Sequence, residues 1–403
     1  SSVTPEPRYP TVALHHSFIE LPDSNYEKRL FRPDCGYFYT SYFDYATPIP
    51  ESLEKRYINR HRLEKKYPNK KQSEAVEPII YYMDPGCPEP VKSALMEGAA
   101  WWNQAFEAAG FIDGFQIKEL PAGADALDVR YNMIQWVHRS TRGWSYGASI
   151  INPLTGEILK GHVSLGSLRV RQDYMIFQGL SKEPFRESNS NDKILELSLD
   201  RIKQLSAHEV GHTLGFAHNF ASSTNSRSSV MDYPHPKISF VDNQINIDNA
   251  YAKDIGEWDK VSVQYAYSDF SDSENEDQEL NKILNDAVEN GLYFLSDSDS
   301  RPVSSANPYS HFDFLMLNQL VLSTVYYFTF LSEFLLFLSR IRFRFLLVKH
   351  RGPLHFSTSL NAKTVLPPPF QNPLSNDQSD LNHQDSPPIG QRSPCLKSRK
   401  ECL

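Results

Sequence analysis

Cysteine is scarce in this 403-residue chain, with Cys35 and Cys87 in the body and Cys395 and Cys402 in the tail. Their spacing fits no zinc-knuckle pattern, which excludes cysteine-built metal modules. No pairing can be deduced from it, and the thiols read as buried or free. Positive charge is short as well. Residues 1–313 carry 31 basic against 44 acidic groups, a net of −13, while residues 314–403 carry a net of +5. An acidic body excludes nucleic acid as the partner. No signal peptide is visible and the first residue is serine, so the chain reads as a fragment or a processed form.

What is present is a 40% hydrophobic chain, enough for one large or two ordinary domains with a real core. It also holds the stretch AHEVGHTLGFAHN, Ala207 to Asn219. His208 and His212 are four apart, so on a helix both imidazoles leave one face, about one turn apart. Two nitrogens can then converge on one zinc ion. Glu209 lies roughly 100° around the helix, too far round for a natural ligand but within reach of a metal-held water. A continuous helix would carry His218 about 9 Å above His212 and roughly 120° off its face. Gly215 can take the left-handed conformation that ends a helix, letting His218 turn back to the same ion. Three neutral imidazoles and one open position suit catalytic zinc, with Glu209 as general base in hydrolysis of a peptide bond.

Several elements are predicted around this stretch. Residues 1–50 read as short strands and turns, and residues 51–72 as a charged helix breaking near Pro68. PIIYYMD from Pro78 reads as a buried strand, and Glu89 to Ala109 has the spacing of an amphipathic helix. Strands follow at Phe115–Leu120, at Asp128–Val137, and at 147–152 and 157–168 around an NPLTG turn. A helix runs from about Ile194 to Gly215, and 250–267 reads as a closing helix. This order implies an α+β domain with a twisted mixed sheet. His162 lies on a strand that could be the open edge receiving an extended peptide. The isolated His138 and the adjacent pair His15 and His16 read as non-ligands, since neighbours on a strand face opposite ways. Phe314 to Leu338 is an apolar run with Glu333 inside it and a basic flank, either a candidate membrane span or an extension foreign to the fold. After Lys363 the chain is rich in Pro, Ser and Asn and reads as disordered.

HEVGHTLGFAH resembles the extended zinc signature of the metzincin metallopeptidases, and SVMDYP resembles their Met-turn. Met231 matches the methionine beneath the metal. Tyr233 holds the place where astacins and serralysins carry a tyrosine that ligates zinc or stabilises an oxyanion. HHSFIELPD, DYATPIP, RHRLEKK, WWNQAFEAAGF, DVRYNMIQWVHRSTRGWSYG and GHVSLGSLRVRQDY are similar to large bacterial zinc-dependent metallopeptidases, over about residues 10–312. The resemblance implies a metzincin-like α+β domain with an active-site helix, a Met-turn and a closing helix. It also implies Zn2+ as cofactor, protein or peptide substrates, and a secreted or cell-envelope location. The expected division is an aromatic and charged N-terminal segment (1–75), a catalytic domain (76–270), an acidic linker with a helical segment (271–313), the apolar segment (314–348) and a tail (349–403).

The expected function is zinc endopeptidase: His208, His212 and His218 as ligands, Glu209 as base, Met231 as floor, Gly215 as the turn and Tyr233 as an auxiliary group. One rival takes Glu257 as third ligand, in the manner of gluzincins. Another is a catalytically inactive zinc-containing module that grips peptides.

Overall fold

The computed structural model describes residues 14–139, 145–180, 190–225, 227–233, 236–241, 244–270 and 275–299. The apolar segment 314–348 and the tail 349–403 lie outside the described residues. Among the described residues no helix is long and apolar enough to cross a membrane.

The protein is α+β. Strands β1 (Tyr39–Phe43) and β2 (Glu54–Ile58) form an antiparallel pair, Tyr39 opposite Ile58. The charged helix expected over 51–72 is therefore absent, and its first part is β2. Local charge does not oppose this, because the pair buries Ile58 while Lys28 lies over the rings of Tyr42 and Tyr57. A two-residue strand β3 (Ser73–Glu74) precedes β4 (Ile79–Met83), whose side chains alternate between buried and half-buried.

The expected long helix is two, α1 (Val91–Ala100) and α2 (Trp102–Ala108), separated at Trp101. There the amide of Trp101 bonds three residues back to Gly98, a tightened turn. The apolar face of α1 (Ala94, Leu95, Ala99) is buried, as are Trp102 and Phe106 of α2. Short β5 (Phe111–Ile112) pairs in parallel with β3. β6 (Phe115–Glu119), β7 (Asn132–Val137), β8 (Tyr146–Ile151) and β9 (Ile158–Gly166) follow.

The main sheet has the order β6-β4-β7-β9-β8, with four parallel strands and β8 antiparallel to β9. This corrects the expectation that the His162 strand is an open edge. β9 is flanked on both sides, by β7 and by the hairpin partner that the Asn152 turn folds back onto it. The edge on that side is β8.

Helix α3 (Leu168–Leu180) follows β9, and then α4 (Ser190–Thr213), the helix of the histidine motif. α4 is locked to the rest by side chains reaching main-chain carbonyls. Ser206 Oγ donates to the Leu95 carbonyl of α1 at 2.7 Å, and Trp102 Nε1 to the Ala207 carbonyl at 2.8 Å. At its end, the Thr213 carbonyl accepts from Tyr81 of β4 at 3.2 Å and from Ser149 of β8 at 3.0 Å. The last two bonds satisfy a carbonyl that the helix terminus leaves open and fix α4 against the sheet, while the first two fix it against α1 and α2.

Beyond a 3-10 turn (Phe220–Thr224) come the small hairpin β10 (Ser239–Val241) and β11 (Gln244–Asn246), then α5 (Glu257–Tyr267) and α6 (Glu276–Glu289). The closing helix starts later than the periodicity suggested, at Gly256, where Asp259 turns back to the Gly256 amide at 2.9 Å. The acidic run Glu276, Asp277 and Glu279 forms the first turn of α6, where the helix dipole favours negative charge. Leu280, Leu284 and Ala287 face inward.

Candidate metal centre

His208 and His212 project from one face of α4, as their spacing requires. The chain then leaves the helix at Gly215, where φ is +102°. A side chain at this position would be strained by the backbone angle and would also strike the Asn59 carbonyl oxygen. The turn is held by a second strand-like contact, since Phe38 N donates to the Gly215 carbonyl at 2.8 Å and Ala217 N to Gly36 at 2.9 Å. His218 then faces back toward α4.

One ring nitrogen from each of His208, His212 and His218 lies within 4.8 Å of the others, the only such cluster of potential ligands among the described residues. The outward nitrogens determine what the inward ones can be. His208 Nδ1 is 2.8 Å from the Val230 carbonyl, and His212 Nδ1 is 2.9 Å from the Phe216 carbonyl. A carbonyl only accepts, so both Nδ1 atoms carry hydrogen. His218 Nδ1 is 2.8 Å from Asp297 Oδ2, again a donor to an acceptor. In its neutral form each ring therefore turns a lone pair inward at Nε2, and His212 Nε2 and His218 Nε2 are 3.1 Å apart. Two facing lone pairs repel unless a cation lies between them. Nitrogen donors without a carboxylate among them suit zinc, and the three residues fit it.

The two helical rings, His208 and His212, are also poor sites for protons. Burial, then the neighbouring His218, pushes the His212 pKa down to about 4. His208 is also held well below its ordinary value, first by burial and then by the other two imidazoles. Glu209 goes the other way. Burial raises its pKa to about 7, against the opposing pull of Arg201, His218, the nearby Gly147 amide of β8 and Arg169.

Met231 is 1% exposed and packs against Gly211, where any side chain would strike its sulfur. It thus lies under the helix turn between the two helical histidines. Its turn is built from behind by the buried Asp259. The carboxylate accepts from Ser229 Oγ at 2.6 Å, from Val230 N at 2.8 Å and from Gly256 N. Val230 is the residue whose carbonyl orients His208, so α5 reaches the first histidine through one carboxylate and one peptide. On the other side Asn219 N donates to the Met231 carbonyl at 3.0 Å, joining the turn to the residue after His218. Asp232 accepts from Ser222 and Ser223 of the 3-10 turn.

Tyr233 is 53% exposed, with its ring 4.5 Å from His218 and 5.3 Å from His208. Glu257 is not part of the cluster: it is exposed in the first turn of α5 and paired with Lys260 at 2.6 Å. The other histidines among the described residues are also apart from it. His162 bonds Gln135, His138 bonds Ser167, and His15 bonds Ser17. Two residues escaped the sequence reading. Asp259 had a usable signal, an acid three residues after a helix-capping glycine. Asp297 had none, being 79 residues from His218 in a run of alternating Ser and Asp.

An α+β domain that brings three imidazoles together beside a glutamate, over a buried methionine turn, has the arrangement expected of a metzincin-type zinc site. Residues 190–319 match a family described as Met-zincin, and residues 2–66 match a second family described as a domain of unknown function. No curated protein and no solved structure matches the chain. The stretch 190–319 is a Met-zincin domain.

Proposed function

We propose that the protein is a zinc-dependent endopeptidase in which His208, His212 and His218 hold the metal and Glu209 is the general base. The observation that carries this reading is the convergence of three Nε2 lone pairs, each enforced by an acceptor on the opposite ring nitrogen. Zinc, when bound, supplies the Lewis acidity that polarises a scissile carbonyl and makes water nucleophilic near neutral pH. Glu209 takes the proton of the attacking water on a carboxylate oxygen and passes it to the departing amine nitrogen. Tyr233, beside His218, is the auxiliary group, its hydroxyl donating to the developing oxyanion. An extended protein or peptide substrate adds to the free side of β8, the strand next to Glu209.

Cleavage of casein, with zinc content measured in parallel, tests this. Glu209→Ala should lose hydrolysis and keep zinc, and His212→Ala should lose the metal. A casein left intact by a protein holding one equivalent of zinc would instead identify an inactive peptide-gripping module. Retention of zinc by His218→Ala with loss in Glu257→Ala would favour the gluzincin arrangement. A secreted or cell-envelope location follows from the resemblance, and fractionation of the producing cells checks it. Membrane association through 314–348 predicts partitioning into detergent that disappears when the segment is deleted.

A further inference from the structure

We infer that Asp297 is a positioning residue for the metal centre, delivered by a strap, residues 291–299, that returns from α6 to the loop behind His218. The inference rests on the reading of His218 as the third ligand. The first two histidines sit on a helix, whose own hydrogen bonds hold their direction. His218 lies beyond Gly215 on a loop and has no such support. The strap supplies it.

The strap is bonded along its length. Asn225 Nδ2 donates to the Gly291 carbonyl at 2.8 Å. Asn219, fully buried next to His218, uses its amide in both senses: Nδ2 donates to the Tyr293 carbonyl at 2.9 Å, and Oδ1 accepts from Leu295 N at 3.1 Å. Phe220 N donates to the Leu295 carbonyl at 2.9 Å. Phe294 stacks on Trp258 of α5 with ring centroids 5.7 Å apart, and Leu295 is buried. Ser296 closes a turn on Asp299, its Oγ donating to the carboxylate at 2.8 Å. Between these two residues the chain places Asp297 Oδ2 at 2.8 Å from His218 Nδ1.

The chemistry of that contact differs from its two counterparts. His208 and His212 give their Nδ1 hydrogens to peptide carbonyls, and His218 gives its hydrogen to a carboxylate. A carboxylate fixes the tautomer more firmly, makes the opposite nitrogen a better donor, and sets one negative charge behind a set of neutral ligands. The strap therefore makes the metal centre depend on chain well beyond the histidine helix and the methionine turn.

The experiment is zinc affinity of the full chain, by competition with a chromophoric chelator, together with the visible spectrum of the cobalt(II)-substituted protein. Asp297→Ala should weaken zinc binding about 10- to 100-fold, the range for loss of such a partner. Asp297→Asn, which keeps an acceptor and loses the charge, should fall between it and the parent, and Asp297→Glu should recover most of the affinity. The cobalt spectrum of Asp297→Ala should change, reporting altered ligand geometry, while melting of the zinc-free protein stays as in the parent. If Asp297→Ala lowers that melting temperature, Asp297→Asn decides: weakened zinc binding supports the inference and parental binding overturns it. Parental affinity in both variants, with loss in His218→Ala, overturns the role of Asp297 alone. Parental affinity in His218→Ala overturns the ligand assignment beneath it.

Discussion

Replacement of Gly215 by alanine separates two costs that the structure superimposes at the turn between the second and third histidines. One is the backbone angle, φ +102°, which L-residues rarely adopt. Such strain costs about 1–3 kcal/mol. The other is the collision of the new Cβ with the Asn59 carbonyl oxygen. That oxygen is main chain, so it cannot swing away as a side chain would, and overpacking of this kind adds about 1–3 kcal/mol. Gly123→Ala isolates the first cost, because Gly123 has φ +80° with nothing within 4 Å of its Cβ position. Urea denaturation of the zinc-free proteins should therefore show Gly215→Ala destabilised by about 2–6 kcal/mol, and Gly123→Ala by about 1–3 kcal/mol. Zinc affinity adds a second reading. Gly123→Ala should bind zinc like the parent, whereas Gly215→Ala should bind it at least about tenfold more weakly, since the angle at 215 directs His218. The reasoning is refuted if the two variants lose equal stability, or if Gly215→Ala holds zinc as tightly as the parent.

Asp259→Ala should lower the melting temperature of the zinc-free protein sharply. It leaves Ser229 Oγ, Val230 N and Gly256 N without their acceptor, and each buried unpaired donor costs about 1–3 kcal/mol. Glu209→Gln should cut turnover on a peptide substrate by about 10²- to 10⁴-fold with zinc content unchanged, read by initial rates and metal analysis. Acid stability should carry the signature of His61, which burial holds neutral with its pKa lowered to about 4 from 6.5. The folded state then binds fewer protons than the unfolded one between these values. Its stabilising contribution is full above pH 6.5 and falls as pH drops toward 4, by about 3 kcal/mol in all. The difference in stability between parent and His61→Gln should therefore change over that window and stay constant above it. A pH-independent difference would contradict the assignment.

The local pattern of the chain already contained the helix through His208 and His212, because a spacing of four residues has only one meaning on a 3.6-residue turn. Gly215 as the exit from that helix was equally legible, as were the strands at Ile79–Met83 and Asn132–Val137, whose composition and alternation need no partner to be recognised. Tertiary structure alone decided which strand forms the edge beside Glu209. Both β8 and β9 read as strands, and only the pairing of β9 with β7 leaves β8 outermost. It also decided that Glu54–Ile58 is a strand rather than a helix, since the hydrogen bonds that make it one come from Tyr39–Phe43. The carboxylates behind the site show the same division. Asp259 reaches the methionine turn from α5 and Asp297 reaches His218 from beyond α6. A contact between distant residues leaves no period in the sequence, because it depends on where the intervening elements pack and not on the spacing along the chain.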